Sequence, residues 1–262
     1  MIIDAFPYGY GPEVLLIRLH ELADVVDRHV IVEADRTFAG KPREFAWPTL
    51  VQQPEFAPFA DKVILHKVHT QPRDPWEQEE HLRDVVLDTA LGLARTGDRI
   101  LFGDHDEIPH PLAIRAALKD EHHDARLWTR YHEWHLNRRA VPRADILGGQ
   151  RPHLWEFRQP LLLHSDEGRV GSLVRACQVG WDNWPAVGWH LTLQGGPDAC
   201  YDKLQATAHT ELQALTFGEV RRMHRLGLDI LDRCALEIVP TDELPAFVQA
   251  NLDDYVKRGM IA

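Results

Sequence analysis

Cysteine is scarce and scattered: Cys177, Cys200 and Cys234 are the only three in a chain of 262 residues. An odd number at such spacings builds neither a disulfide framework nor a zinc knuckle and suits a reducing compartment. Long hydrophobic runs are missing too, and no stretch approaches the ~18–20 apolar residues of a membrane span. The opening MIIDAFPYGYG lacks the basic segment and apolar core of a secretion signal. Positive charge is in deficit, with 29 Lys and Arg against 40 Asp and Glu and a net charge of −11. That argues against a broad grip on nucleic acid or an anionic membrane. Several catalytic signatures fail as well. GYGPEV (9–14) lacks the third glycine of a dinucleotide fingerprint, and YHEWH (131–135) has Leu136 where a zinc-protease helix needs histidine. What these absences leave is a globular, cytoplasmic protein forming one domain over 1–262.

What is present reads as alternating strands and helices. IIDAF (2–6) is a strand ended by Pro7, Gly9 and Gly11, and EVLLIRLHELADVV (13–26) has helical spacing. HVIVEA (29–34) and DKVILHKV (61–68) are strands. WEQEEHLRDVVLDTALGLA (76–94) is a helix with a stripe of Leu82, Val85, Val86, Thr89 and Leu93, stopped by Gly97. RILFG (99–103) is a further strand, PLAIRAALK (111–119) a helix, GWHLTL (188–193) a late strand, and helices fill 198–231. This alternation predicts an α/β fold with a mostly parallel central sheet flanked by helices. Residues 1–120 make its first half, and 121–262 its second half with the C-terminal helices.

One stretch stands out. FGDHDEIP (102–109) places Asp104, Asp106 and Glu107 at the end of a buried strand, where like charges repel and burial penalises them. Ligands of open α/β sheets sit beyond the carboxyl ends of the strands. Asp4 on the first strand, Glu33 after the second and Asp104 after a later one are therefore expected to converge. Two hard carboxylates one residue apart suit Mg²⁺ or Mn²⁺, which would leave positions open for a diphosphate. An acidic turn capping a Pro-started helix is the competing explanation.

VVDRHVIVEADRTFAGKPREF (25–45), WEQEEHLR (76–83), DRILFGDHDEIP (98–109) and GWHLTLQGGPDACYDKLQATAHTE (188–211) together resemble glycosyltransferase family 17. The resemblance implies a GT-A fold, a nucleotide-sugar donor (a UDP-sugar foremost), a divalent cation and an inverting transfer to a hydroxyl acceptor. It implies that Asp104 and Asp106 are a D-x-D pair, the second holding the metal. Asp4, Phe6, Glu33, Thr37, Gly40, Lys41, Arg83, Asp104 and Lys203 are expected around the donor. Trp76, Glu80 and Arg83 share a helix face, from which Arg83 can steady carboxylates or diphosphate. His190 is the preferred histidine ligand and His209 its rival. The GGP at 195–197, opening a helix, offers backbone N–H groups to phosphate.

An inverting displacement needs a base, and Glu211 and Asp182 are the carboxylates outside the metal pair that qualify. Trp134, Trp181 and Trp184 are candidates to stack on an acceptor sugar, each weighed against a place in the core. Arg138, Arg139, Arg143 and Arg151 make a local basic cluster. Two other classes fit the same carboxylates: a metal-dependent phosphoesterase or nucleotidyltransferase, and a non-catalytic carbohydrate-binding protein.

Overall fold

A computed structural model describes residues 1–71, 73–119, 124–141, 160–165 and 187–262. Its larger sheet has six strands: β1 (Ile2–Pro7), β2 (Arg28–Ala34), β3 (Val63–Val68), β4 (Arg99–Phe102), β6 (Ala125–Arg126) and β9 (Leu161–His164). They lie in the order β3-β2-β1-β4-β9-β6. The first four run parallel, and β9 pairs antiparallel with both β4 and β6. The smaller sheet, ordered β11-β8-β7-β10-β5, contains β5 (Glu107–Ile108), β7 (Thr129–Glu133), β8 (Arg138–Val141), β10 (Gly188–Thr192) and β11 (Ala235–Ile238). The expected α/β class with a mostly parallel central sheet is what the chain adopts. Among the described residues, no helix is long and apolar enough to cross a membrane.

Helices cover both faces of the large sheet. On one, α3 (Pro75–Leu93) presents Leu82, Val86, Leu87 and Ala90 to Ile3, Ala5, Val30, Val32, Ile100 and Phe102. Its start is set by Asp74, whose carboxylate accepts from the Trp76 and Glu77 N–H groups, and by Pro75 in the first turn. Leu93, placed on the buried stripe by spacing, is exposed at the frayed end. On the other face, α1 (Pro12–Glu21) packs Leu15 and Leu19 against Phe6 and Ile31, beside the short α2 (Trp47–Leu50). The α1 pattern continues to Val26, yet the helix stops at Glu21. The N–H groups of Val25 and Val26 turn back to the Leu22 carbonyl, and both valines pack instead with Leu101 and α4 (Pro111–Ala117).

The strand order reverses between β1 and β4, since β2 and β3 lie on one side of β1 and β4 on the other. Such a switch point opens a crevice at the strands' carboxyl ends. The small sheet closes over that crevice through one pairing: Trp189 and His190 of β10 oppose Ile108 and Glu107 of β5, immediately after the acidic turn. Gly188 makes the approach possible. A Cβ there would stand 2.1 Å from the Ile108 carbonyl oxygen and 2.7 Å from the Pro109 Cα, both backbone atoms. Gly188→Ala is expected to cost about 3 kcal/mol or more through overpacking, read as a lowered urea midpoint. An unchanged midpoint would show that the two sheets do not depend on this contact.

Candidate functional site

The crevice holds a cavity of about 500 Å³ lined from six elements of the fold. Pro7, Tyr8, Gly9 and Tyr10 follow β1; Arg36, Thr37, Phe38 and Arg43 follow β2; Trp76, Glu79, Leu82 and Arg83 come from α3. Asp104, His105 and Asp106 follow β4. Tyr131, His190 and Thr192 come from the small sheet, and Lys203 from the last turn of α5 (Gly196–Leu204).

The acidic turn is held at its backbone. The Glu107 N–H donates to the Asp104 carbonyl at 3.0 Å, and the Glu107 carboxylate accepts from the Asp104 N–H at 3.0 Å. The Leu191 N–H donates to the Asp106 carbonyl at 2.8 Å, tying the turn to β10. Beneath it lies Arg18 of α1, fully buried, donating to the carbonyls of Asp104, His105 and Glu107 and doubly to the Asp4 carboxylate. Asp4 also meets His29 Nδ1 at 2.9 Å. Although burial opposes its charge, Arg18 and His29 keep the Asp4 carboxyl below the ordinary range.

Asp106 is the charge centre of the cavity. Its Oδ2 accepts from Lys203 Nζ at 2.8 Å, and its Oδ1 stands 3.7 Å from His190 Nε2. Burial alone would raise its pKa, but Lys203, His190 and His105 outweigh burial and hold it far down. Asp104 meets Arg83 Nη2 at 3.1 Å, and Arg83 also pairs with Glu79 at 2.5 Å. At the far wall, Arg233 donates to the Tyr131 hydroxyl at 2.8 Å while clamped by Asp229, and Tyr131 packs edge-on against His190 at 5.3 Å.

This placement revises several expectations. Asp4 lies three residues before the end of β1, about 10 Å back from the rim at the rise of a strand, so it serves Arg18 instead of a ligand. Phe6 is fully buried in the core between sheet and α1. Glu33 is buried as well; its carboxylate accepts from the Ala46 and Trp47 N–H groups at 2.5 and 2.8 Å, capping α2. It thereby shapes the loop that brings Arg36, Thr37 and Arg43 to the cavity. Thr37 lines the cavity, but Gly40 and Lys41 do not: they close the turn that shapes it, with Gly40 at φ +80 and Lys41 exposed. On α3 the partner of Arg83 is Glu79, four residues away, whereas Glu80 faces solvent.

Arg83, Asp104, Asp106, His190 and Lys203 meet in the cavity as expected, and Lys203 is an ion-pair partner and no solvated lysine. The Gly195–Gly196 start of α5 is not part of the lining. His209 lines the cavity, yet its Nδ1 engages Glu211 at 2.7 Å, so His190 and not His209 faces Asp106. Trp134 is fully buried with its Nε1 donating to the Leu228 carbonyl at 2.8 Å, which makes it core. Asp182, Trp181, Trp184, Arg143 and Arg151 lie outside the described residues. Arg138 donates to the His224 carbonyl, and Arg139 pairs with Glu237 and Glu243.

Sequence reasoning missed Tyr8, Tyr10, Arg36, Arg43, Tyr131 and Arg233. Tyr8 had a signal, since it follows a strand at its carboxyl end. Arg43 had none; its guanidinium bridges the Ala34 and Tyr8 carbonyls at 2.8 and 2.5 Å, clasping the ends of β2 and β1 together.

Among the described residues, no group of three or more His, Cys, Asp and Glu side chains is arranged to hold a cation. Mg²⁺ and Mn²⁺ do not demand such a cage: one or two carboxylates with water and substrate phosphates suffice. Asp106 stays ionised, and His190 makes no hydrogen bond at its buried Nδ1 and turns Nε2 toward Oδ1. These donors fit a cation that completes its shell from water and a diphosphate.

Residues 1–125 match the family model described as Glycosyltransferase family 17. Two curated relatives are each named beta-1,4-mannosyl-glycoprotein 4-beta-N-acetylglucosaminyltransferase. The Homo sapiens protein is 29% identical over 115 residues, 41% of this chain and 22% of the relative. The Rattus norvegicus protein is 29% identical over 115 residues, 41% of this chain and 21% of the relative. The matched segment is thus about a fifth of those relatives' length. A crystal structure of 4-diphosphocytidyl-2C-methyl-D-erythritol synthase aligns over 99% of this chain and 98% of its own, at 17% identity and a TM-score of 0.37. The resemblance to glycosyltransferase family 17 therefore stands for the N-terminal half, the half that carries the acidic turn.

Proposed function

We propose that this chain, matched over residues 1–125 to glycosyltransferase family 17, is an inverting glycosyltransferase that moves a sugar from a nucleoside-diphosphate donor to a hydroxyl acceptor. The observation that carries this reading is the meeting of Asp104, Asp106, Arg83, Lys203 and His190 in one cavity at the topological switch point. The relatives' names make N-acetylglucosamine the first sugar to try, and the family resemblance puts UDP first among nucleotides.

Asp106 and His190 would hold a Mn²⁺ or Mg²⁺ ion, which when bound supplies Lewis-acid stabilisation of the departing diphosphate. The protein's own part follows from charge. A nucleoside diphosphate leaves with growing negative charge, and preorganised cations stabilise that charge most where water is excluded. Arg83 brings a planar fork suited to a phosphate, and Lys203 brings a compact point charge. Both are already fixed by Asp104 and Asp106, so neither must be immobilised when the donor arrives. Arg36, Arg43 and the aromatic rings of Tyr8, Tyr10 and Phe38 line the same cavity and would form the wall beside the nucleotide.

Calorimetric titration with UDP-GlcNAc, UDP and GDP, with Mn²⁺ and with EDTA, tests the reading. Expected is saturable binding of one nucleotide, strengthened at least tenfold by Mn²⁺, and sugar recovered on an acceptor. Failure of every nucleotide under both conditions, or release of phosphate with no sugar transfer, would overturn it.

A further inference from the structure

Direct displacement needs a base for the acceptor hydroxyl, and the cavity's carboxylates are already committed. Among the described residues, those lining it are Glu79 and Asp104, both on Arg83, and Asp106, on Lys203. A carboxylate neutralised by a fixed cation is a poor proton acceptor, because the cation stabilises the form that has given its proton away. Glu211 itself does not line the cavity. The imidazoles that do are His105, His190 and His209. His105 is a buried member of the turn itself, packed against Tyr8, while His190 faces Asp106. His209 is the one set apart from that cluster.

Its setting is that of a held base. Nδ1 lies 2.7 Å from Glu211 Oε1, and the indole of Trp76 meets the ring edge-to-face at 4.7 Å, fixing its plane from the α3 side. With Nδ1–H donated to the carboxylate, Nε2 carries the free lone pair; no hydrogen bond occupies it among the described residues. A histidine whose second nitrogen is oriented by a carboxylate is the arrangement general bases use. We propose that His209 is the catalytic base that takes the acceptor hydroxyl proton, with Glu211 as its positioning residue. This rests on the transferase reading above.

The acceptor oxygen forms its bond to the anomeric carbon as the bond from that carbon to the diphosphate oxygen breaks. The bonding pair leaves with the diphosphate, and the hydroxyl proton passes to His209 Nε2. The imidazolium is stabilised by Glu211 and loses its proton to water. The charged groups that line the cavity from the neighbouring elements are Glu79 and Arg83 of α3, Lys203 of α5, and Arg36 and Arg43 after β2. The first three are held in the ion pairs already described, and Arg36 donates to the Gly40 carbonyl.

The test uses UDP-GlcNAc with water as the acceptor, so that no acceptor need be known. For His209→Ala, donor binding is expected within threefold of the parent, and turnover is expected to fall at least about 100-fold, the low end of base catalysis. Turnover should return in proportion to added imidazole. Glu211→Gln should lower kcat about tenfold without changing KM for the donor, and Glu211→Asp should recover part of the loss. His209→Ala turning over within threefold of the parent, or a loss that imidazole does not restore, would overturn the assignment while leaving the transferase intact. Failure of the parent protein to bind any nucleotide would overturn the transferase reading, and this one with it.

Discussion

Asp106→Ala is expected to lower turnover by about a thousandfold or more, because it would remove the carboxylate proposed to hold the cation and release Lys203, the positive groups that would stabilise the departing diphosphate. Three features concentrate the effect on this side chain. It is the contact shared by Lys203 and His190, so its loss frees the ammonium from its fixed position and leaves the imidazole without the charge it faces. It stays ionised despite burial, because Lys203, His190 and His105 surround it. Its backbone carbonyl is independently held by Leu191, so the turn itself survives the substitution. The fold should therefore persist while function fails, and circular dichroism with a urea titration separates the two. Asp106→Asn keeps the shape and removes the charge, and Mn²⁺-dependent nucleotide binding should fall at least tenfold. Retained Mn²⁺-dependent binding in both variants would show that the cation and donor sit elsewhere.

Arg18→Met carries the largest effect on stability. Breaking a buried ion pair by removing one partner costs about 3–5 kcal/mol, because the remaining charge is left uncompensated. Here the remaining charge is Asp4, wholly buried beneath α1 and left with His29 Nδ1 in place of a guanidinium, and three backbone carbonyls of the acidic turn lose a donor at the same moment. Against a total stability of about 5–15 kcal/mol, such a loss brings the protein near unfolding at room temperature. The denaturant midpoint reads it, and a double variant distinguishes the cause. Arg18→Met with Asp4→Leu replaces the pair with apolar volume and should recover more than half of the lost stability, since apolar substitutes for buried ion pairs are often neutral or stabilising. Turnover should not recover with it, because the carbonyls of Asp104, His105 and Glu107 still lack the Arg18 donor. Full recovery of turnover in the double variant would show that Arg18 supports the fold alone.

Much of this architecture is legible in the amino-acid order. The α3 helix could be read from Leu82, Val86 and Ala90 at helical spacing behind an Asp–Pro start, because burying one face of a helix against a sheet requires that period. The acidic turn could be read from carboxylates following the apolar run of β4. What periodicity does not carry is where a strand ends in space. Asp4, Phe6 and Glu33 occupy the right strands but lie behind the rim or beneath it, and a difference of three residues moves a side chain by about 10 Å.

The chain by itself determined the alternation of strands and helices, and with it the crevice beyond β1 and β4, because local hydrophobic period and turn chemistry are properties of neighbouring residues. Only the tertiary structure decided which polar groups meet. Arg18 and Asp4 are 14 positions apart, Arg83 and Asp104 21, Lys203 and Asp106 97, and Arg233 and Tyr131 102. Ion pairing and desolvation depend on distances of a few ångströms in the folded state, and no local pattern encodes them. For Glu211 the chain shows a carboxylate two residues from His209, and the fold brings that carboxylate to within 2.7 Å of the imidazole Nδ1.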